Sequence, residues 1–318
     1  MTGPSGRCLA PARVVCHDPT VLRVLVAALA LLLVPAAAAK PLLGVTGNAP
    51  RFDKQTGQAS QVHQAFLGWG QGLEYGAPIR TFLPTLGPVP MITISTGGPG
   101  GVAERITTSA IAAGKGDAYL AELNGALADW GKGAYVRPLG EMNNPGNPWS
   151  RNAPAYRKAF ARISAIVHGR VAGLKPAYHG ALLQPNPFPR VRVVFSPLAN
   201  RNAIEPYWPG DRYVDVVGPD IYKESGAPPW AAFTTQYGFA MKHHKPFVVP
   251  EWGFIGVDDS AFVHDMCTFV RGHAVEALLF FRSKPGSPFD LSTKPKALAA
   301  YSACVPLLGG PLPGWATG

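Results

Sequence analysis

Two glutamates occupy comparable settings. Glu141 lies in YVRPLGEMNNPGNPW (Tyr135–Trp149), a strand-like run that opens into a glycine- and asparagine-rich loop. Glu251 ends the apolar run of KPFVVPEWG (Lys245–Gly253). Carboxylates at the ends of two strands of a parallel barrel reach one rim, and two carboxyl groups flanking a sugar linkage are what glycoside hydrolysis needs. The uncharged neighbours Asn143, Asn144 and Asn147 suit a Glu141 that holds a proton near neutral pH and gives it to a leaving oxygen. Glu251, between Pro250 and Trp252, would then be the nucleophile, and Tyr222 and Arg137 are the side chains expected to orient it and keep it ionised. Either glutamate alone would serve equally well as a helix cap. The specific feature is the pair, with Tyr222 between.

The elements that must position this pair follow from the hydrophobic pattern. The chain has 318 residues, 47% hydrophobic and 15% charged, a balance that fits a globular enzyme and not a disordered chain. Its 36 Gly and 33 Pro follow no fixed period, which argues against a repeat protein. Strands are expected at Leu42–Thr46, Ala65–Trp69, Pro90–Thr96, Tyr135–Leu139, Val191–Ser196, Val214–Tyr222, Lys245–Pro250 and Ala277–Phe281. Between them fall a short helix over Gln55–Gln61, one capped by Asp117 and one opened by Asn152 and Pro154. A further helix is capped by Asp259 or Ser260, and the last carries Pro295 in its first turn. Alternation without a linker predicts a single α/β domain, a (β/α)8 TIM barrel over residues 40–305, with a frayed tail at 306–318.

On that frame Trp69, Trp149, Trp230 and Trp252 fall at or just beyond strand C-termini, where an indole can stack on the C–H face of a pyranose; Trp149 and Trp252 are foremost. Trp208 and Asp211 precede the sixth strand and belong to the opposite, structural face. His243 and His244 sit in a turn before the seventh strand, at the wrong end for a metal site. There is no H-E-x-x-H, no paired C-x-x-C and no G-x-S-x-G, so no metal, no cofactor and no serine nucleophile are expected. The glycine-rich loop Gly97–Gly101 lacks a following Lys-Ser/Thr and is no phosphate cradle.

The N-terminus reads separately. Arg7, Arg13 and Arg23 precede an apolar run from Val24 to Pro35 and a small-residue stretch Ala36–Ala39, the pattern of a cleaved signal peptide over residues 1–39 and hence of a secreted protein. The alternative is a membrane anchor through residues 21–39, against which the shortness of the apolar run argues. Losing three Arg and one Asp with the signal takes the formal charge from +10 to +8, a balance that favours an anionic wall or polysaccharide. No Lys/Arg run or nucleic-acid motif accompanies it. Cys267 and Cys304 would remain as the one pair, either disulfide-bonded or two buried thiols.

RPLGEMN followed by PW, then VVFSP, YWPGDRYVDVVGPDIY and KPFVVPEWG, resemble successive strand motifs of glycoside hydrolase family 26. The resemblance implies a retaining β-mannanase or relative on a (β/α)8 barrel, with Glu141 as acid/base, Glu251 as nucleophile and Tyr222 as the tyrosine against the nucleophile. Two positions depart from the family: Gly140 stands where it has a histidine, and Phe280 and Phe281 stand where a tryptophan is expected. The expected function is therefore secreted hydrolysis of a β-linked polysaccharide or oligosaccharide by a monomer. The alternatives are a carbohydrate-binding protein with weak or no turnover, and a barrel hydrolase acting on the producer's own wall or exopolysaccharide.

Overall fold

Short runs rich in Val, Ile and Leu, buried on both faces, form parallel strands. The computed structural model describes residues 40–98, 103–170, 183–282 and 284–318; the expected signal or anchor at 1–39 and part of the loop Gly97–Gly101 lie outside them. The strands are β1 (Leu42–Thr46), β2 (Val62–Leu67), β3 (Val89–Ile94), β4 (Ala134–Pro138), β5 (Val191–Phe195), β6 (Val216–Val217), β7 (Ile221–Lys223), β8 (Val248–Phe254) and β9 (Ala277–Phe280). Their order is β6-β5-β4-β3-β2-β1-β9-β8-β7. The two outer members are halves of one strand, because β6 pairs with β5, β7 pairs with β8, and only Gly218, Pro219 and Asp220 separate them. At the break Gly218 N donates to Phe195 O at 2.9 Å while Val217 N donates to Pro246 O at 3.0 Å, so both neighbouring strands are joined. The result is the expected (β/α)8 barrel with its sixth strand interrupted.

Strand alternation divides the apolar side chains between two cores. Leu42, Val62, Met91, Tyr135, Val194 and Leu279 fill the barrel. Leu43, Val45, Ile92, Val136, Val193 and Phe280 face the helices. Each such side chain, fully buried, contributes about 1.5–3 kcal/mol. Gly44 points inward on β1, where an added Cβ would come within 2.4 Å of Val62 O and 2.7 Å of Leu279 Cγ, so the crowded interior requires glycine there.

The helices begin where capping chemistry allows. Asn152 Oδ1 accepts from Ala155 N at 3.0 Å, and Asp259 Oδ1 accepts from Ala261 N at 2.9 Å. Gly116 and not Asp117 stands at the N-cap of the helix Asp117–Trp130; the Asp117 carboxylate binds Arg162 Nε at 2.7 Å and ties this helix to the helix Ala153–Val167. The first helix is Ala49–Thr56 and not Gln55–Gln61, because Asn48 accepts from Arg51 N to start it and Gly57, at φ 77°, ends it. The segment 306–318 is not frayed. Trp315 meets Tyr135 edge-on at 5.6 Å under the Arg192 guanidinium, 3.9 Å from its ring, and Gly133 N donates to Ala316 O at 3.3 Å, so the tail covers the N-terminal mouth of the barrel. A disulfide joins Cys267 and Cys304 on the helices Ser260–Gly272 and Pro295–Cys304.

Candidate active site

Glu141 stands three residues beyond β4 on a backbone held against its preference. Leu139 and Glu141 have φ of 52° and 54°, a region that non-glycine residues enter at a cost and mostly at functional sites. Leu139 N donates to Ile94 O at 2.8 Å and Glu141 N to Ser196 O at 2.6 Å, bonds that hold the turn against both neighbouring strands. The following loop folds back on itself. Asn144 Nδ2 donates to Glu141 Oε2 at 2.8 Å, Asn147 Nδ2 to Glu141 O at 3.0 Å, and Trp149 Nε1 to Gly140 O at 2.8 Å. Burial pushes the Glu141 carboxyl above the usual carboxylate range; Asn144 opposes the shift and the charge of Glu251 adds to it.

Glu251 lies within β8 and not at its end. Val249 pairs with Leu278 and Trp252 with Phe280, so β8 carries one extra residue between them, a bulge at Pro250–Glu251. The bulge resets the alternation: Val248 faces the barrel, as does Glu251, and Trp252 faces the helices. Glu251 is 5% exposed, and three donors hold its carboxylate. Gln64 Nε2 reaches Oε1 at 3.1 Å, Arg137 Nη1 also bonds Oε1, and the Tyr222 hydroxyl bonds Oε2. Burial raises Tyr222 well above its ordinary range, with Glu251 adding to the rise, so the phenol stays a donor. Gln64 is itself fixed, accepting from Thr46 Oγ1 at 2.9 Å and donating to Thr93 Oγ1 at 3.0 Å.

Arg137 is the hub. Besides Glu251 it donates through Nη2 to Asp220 Oδ2 and through Nε to Ser196 Oγ at 2.8 Å. Asp220, fully buried at the break in the sixth strand, also accepts from Ser196 Oγ at 3.5 Å through its other oxygen. Burial pushes Asp220 up against the pull of Arg137, and Glu251 and Glu141 push it further. Gly140 makes the hub possible. A Cβ there would stand 2.7 Å from both Cζ and Nη2 of Arg137, and the guanidinium cannot withdraw without leaving Asp220 and Ser196.

A cavity of about 540 Å³ opens above these groups. Glu141, Glu251, Arg137, Tyr222 and Trp149 line it, as expected. The other expected residues are elsewhere. Trp252 is fully buried, stacked on Tyr301 at 5.6 Å, because the bulge turns it outward. Trp69 packs on Tyr119 at 5.1 Å, and Trp230 begins the helix Trp230–Lys242 and packs on Phe262 at 5.2 Å. Asn143, also expected at the substrate, is buried outside the cavity lining with its amide bonded to Leu198 O at 2.9 Å, Asn200 Oδ1 at 2.8 Å and Leu198 N at 2.8 Å, a brace between two loops. Besides Trp149 and Tyr222, the aromatic surface of the cavity comes from Phe66, Phe281 and Phe289, with Phe281 5.8 Å from Tyr222 and 5.0 Å from Phe289. Sequence reasoning missed Gln64 and Asp220 as well; a polar residue bordering an apolar run was the available sign of each. Trp208 lies away from this cavity with Asp211 and His243, as expected.

The family model for glycosyl hydrolase family 26 matches residues 189–260, which include the sixth-strand break and Glu251. Endoglucanase H of Acetivibrio thermocellus is 22% identical over 277 residues, covering 80% of this chain; the chain spans 28% of that protein's length. Among solved structures, a Bacteroides ovatus family 26 β-mannanase superposes with a TM-score of 0.58 at 16% identity, covering 84% of this chain and 88% of that one. The Bacillus subtilis mannanase BCman gives 0.56 at 19% identity over 82% and 85%. These matches bear out the resemblance to family 26 and its barrel fold.

Proposed function

We propose that this chain, which shares its barrel and its sixth-to-seventh-strand segment with glycoside hydrolase family 26, is a secreted retaining endo-β-glycosidase acting on a mannan-like or related β-linked polysaccharide. One observation carries the reading. A carboxylate held by three donors, Glu251, shares a cavity with a buried carboxyl raised above its usual range, Glu141. In the reaction Glu251 attacks the anomeric carbon while Glu141 gives its proton to the departing oxygen. Glu141, now the base, then takes a proton from water as the water displaces Glu251. Trp149 and the Phe66, Phe281 and Phe289 faces would bind sugar rings. Export is supported by the N-terminal sequence together with the Cys267–Cys304 bond.

The test is hydrolysis of purified β-mannan, mixed-linkage glucan and xylan, with products followed by mass and anomeric configuration. The protein should cut one of them with retention, and Glu251→Ala should lose at least about four orders of magnitude in rate, comparable to removal of a nucleophile elsewhere. Inversion, or an active Glu251→Ala protein, would refute the double displacement.

A further inference from the structure

A second cavity, of about 330 Å³, is walled by cations. Arg51, Arg282 and Lys284 line it together with uncharged Gly47, Asn48 and Pro285. Gly47 and Asn48 follow β1, and Arg282 follows Phe281 at the end of its partner β9, so the cavity stands over adjoining strand ends on the catalytic rim. Alternation separates the last two side chains: Phe281 lines the catalytic cavity and Arg282 lines this one.

Arg282 is incompletely satisfied. Its side chain is 3% exposed, and neither Nη1 nor Nη2 has a hydrogen-bond partner among the described residues. The carboxylate beside it, Asp290, leaves Oδ1 3.7 Å from Nη2, and Asp290 is already accepting from Ser292 N at 3.0 Å and Gly286 N at 2.8 Å. A buried guanidinium without hydrogen bonds is costly and calls for a partner. Arg51 adds its charge from the first turn of the helix Ala49–Thr56, where the helix dipole also favours an anion, and exposed Lys284 closes the other side. The surrounding charge is three positive groups against one carboxylate, on a chain of net charge +10.

We infer that this cavity is an oxyanion subsite that holds the carboxylate of a uronic acid or other acidic substituent on the glycan whose backbone occupies the catalytic cleft. A guanidinium presents paired donors that match a carboxylate, and two flanking cations complete the charge balance. A sulfate ester offers the same chemistry. The inference rests on the glycan-hydrolase reading above for its ligand but on separate residues for its site.

Titration calorimetry at constant ionic strength tests it with sodium glucuronate, sodium sulfate and glucose, on the protein and on Arg51→Ala/Lys284→Ala, whose changes are at exposed positions. Glucuronate should bind and glucose should not, and the double variant should weaken glucuronate about tenfold, as for lost charge-assisted contacts. Tighter binding of sulfate than of glucuronate assigns the anion to a sulfate ester. No saturable binding of either anion, or binding unchanged both in the double variant and in Arg282→Gln, overturns the site. A uronate-bearing β-glycan compared with its carboxyl-reduced form separates this claim from the catalytic one. A lower KM for the charged polymer, lost in the double variant, supports the subsite. Equal KM values refute the subsite and leave the hydrolase. Binding of glucuronate without cleavage of any glycan refutes the hydrolase and leaves the subsite.

Discussion

Three carboxyl groups, Glu141, Asp220 and Glu251, surround one guanidinium, and the arrangement decides which of them keeps a proton. Arg137 binds both Glu251 and Asp220 directly, whereas the Glu141 carboxyl is held by the Asn144 amide and is raised by burial. Glu141, raised by burial and lining the cavity, is therefore placed to keep a proton where a leaving oxygen would need it. Asn144 tunes that proton, since its amide stabilises the Glu141 carboxylate and lowers its pKa. Asn144→Ala should raise it, so the alkaline limb of kcat/KM, where the acid form is lost, should move to higher pH. Movement of the acidic limb alone would mean that Glu141 is not the acid. Gly140 invites a second prediction. Restoring the family histidine there is not a repair in this chain, because even a methyl group would meet the Arg137 guanidinium at 2.7 Å. Gly140→Ala should shift Arg137 and lower kcat/KM about 100-fold with KM less affected, as for a misplacement near 1 Å, and steady-state kinetics would show it.

Element geometry explains why Trp252 is missing from the expected aromatic site. A strand has period two, so adjacent Glu251 and Trp252 cannot both face the cleft, and the bulge gives that direction to the glutamate. Trp149 and Trp252 should therefore respond in opposite ways to substitution. Trp149→Ala should raise KM about tenfold with little loss of stability, an effect within the range for one stacked ring. Trp252→Ala should cost about 3–5 kcal/mol in urea unfolding, as for a large core aromatic. The eight strand runs were legible, although the second begins at Val62 and not Ala65 and the seventh runs on to Phe254 and not Pro250, as were the helix caps at Asn152 and Asp259 and the glutamate pair, because apolar runs and polar ends are local. What could not be read was side-chain direction. Pro250 inside an apolar strand was a sign of a bulge, but its effect on Trp252 depends on pairing with β9. Asp220 was hidden for a similar reason: its role exists only through Arg137, 83 positions away.

The molecule as a whole keeps its chemistry at one end of the barrel and closes the other with its own C-terminus. That arrangement separates stability from catalysis, because the rim groups hang on strand ends while the opposite mouth depends on packing beneath β4. Trp315 is the main piece of the closure: it meets Tyr135 inside the barrel and lies under Arg192, which also donates to Glu276 Oε2 at 2.9 Å. The Tyr135 hydroxyl binds the other oxygen of the same carboxylate, so loss of Trp315 would open a buried charged pair to water. The Cys267–Cys304 bond anchors the helix leading into this segment across 37 residues, and its removal should cost about 3–4 kcal/mol by constraint of the unfolded chain. Trp315→Ala should cost about 2 kcal/mol through lost ring burial and the cation–π contact, read as a lower urea midpoint with an unchanged slope. Its kcat on whichever glycan is cut should stay within about twofold of the parent, since a change at the opposite mouth of the barrel leaves Arg137 and its carboxylates in place. A loss of kcat as large as that of Gly140→Ala would mean that the two mouths of the barrel are coupled.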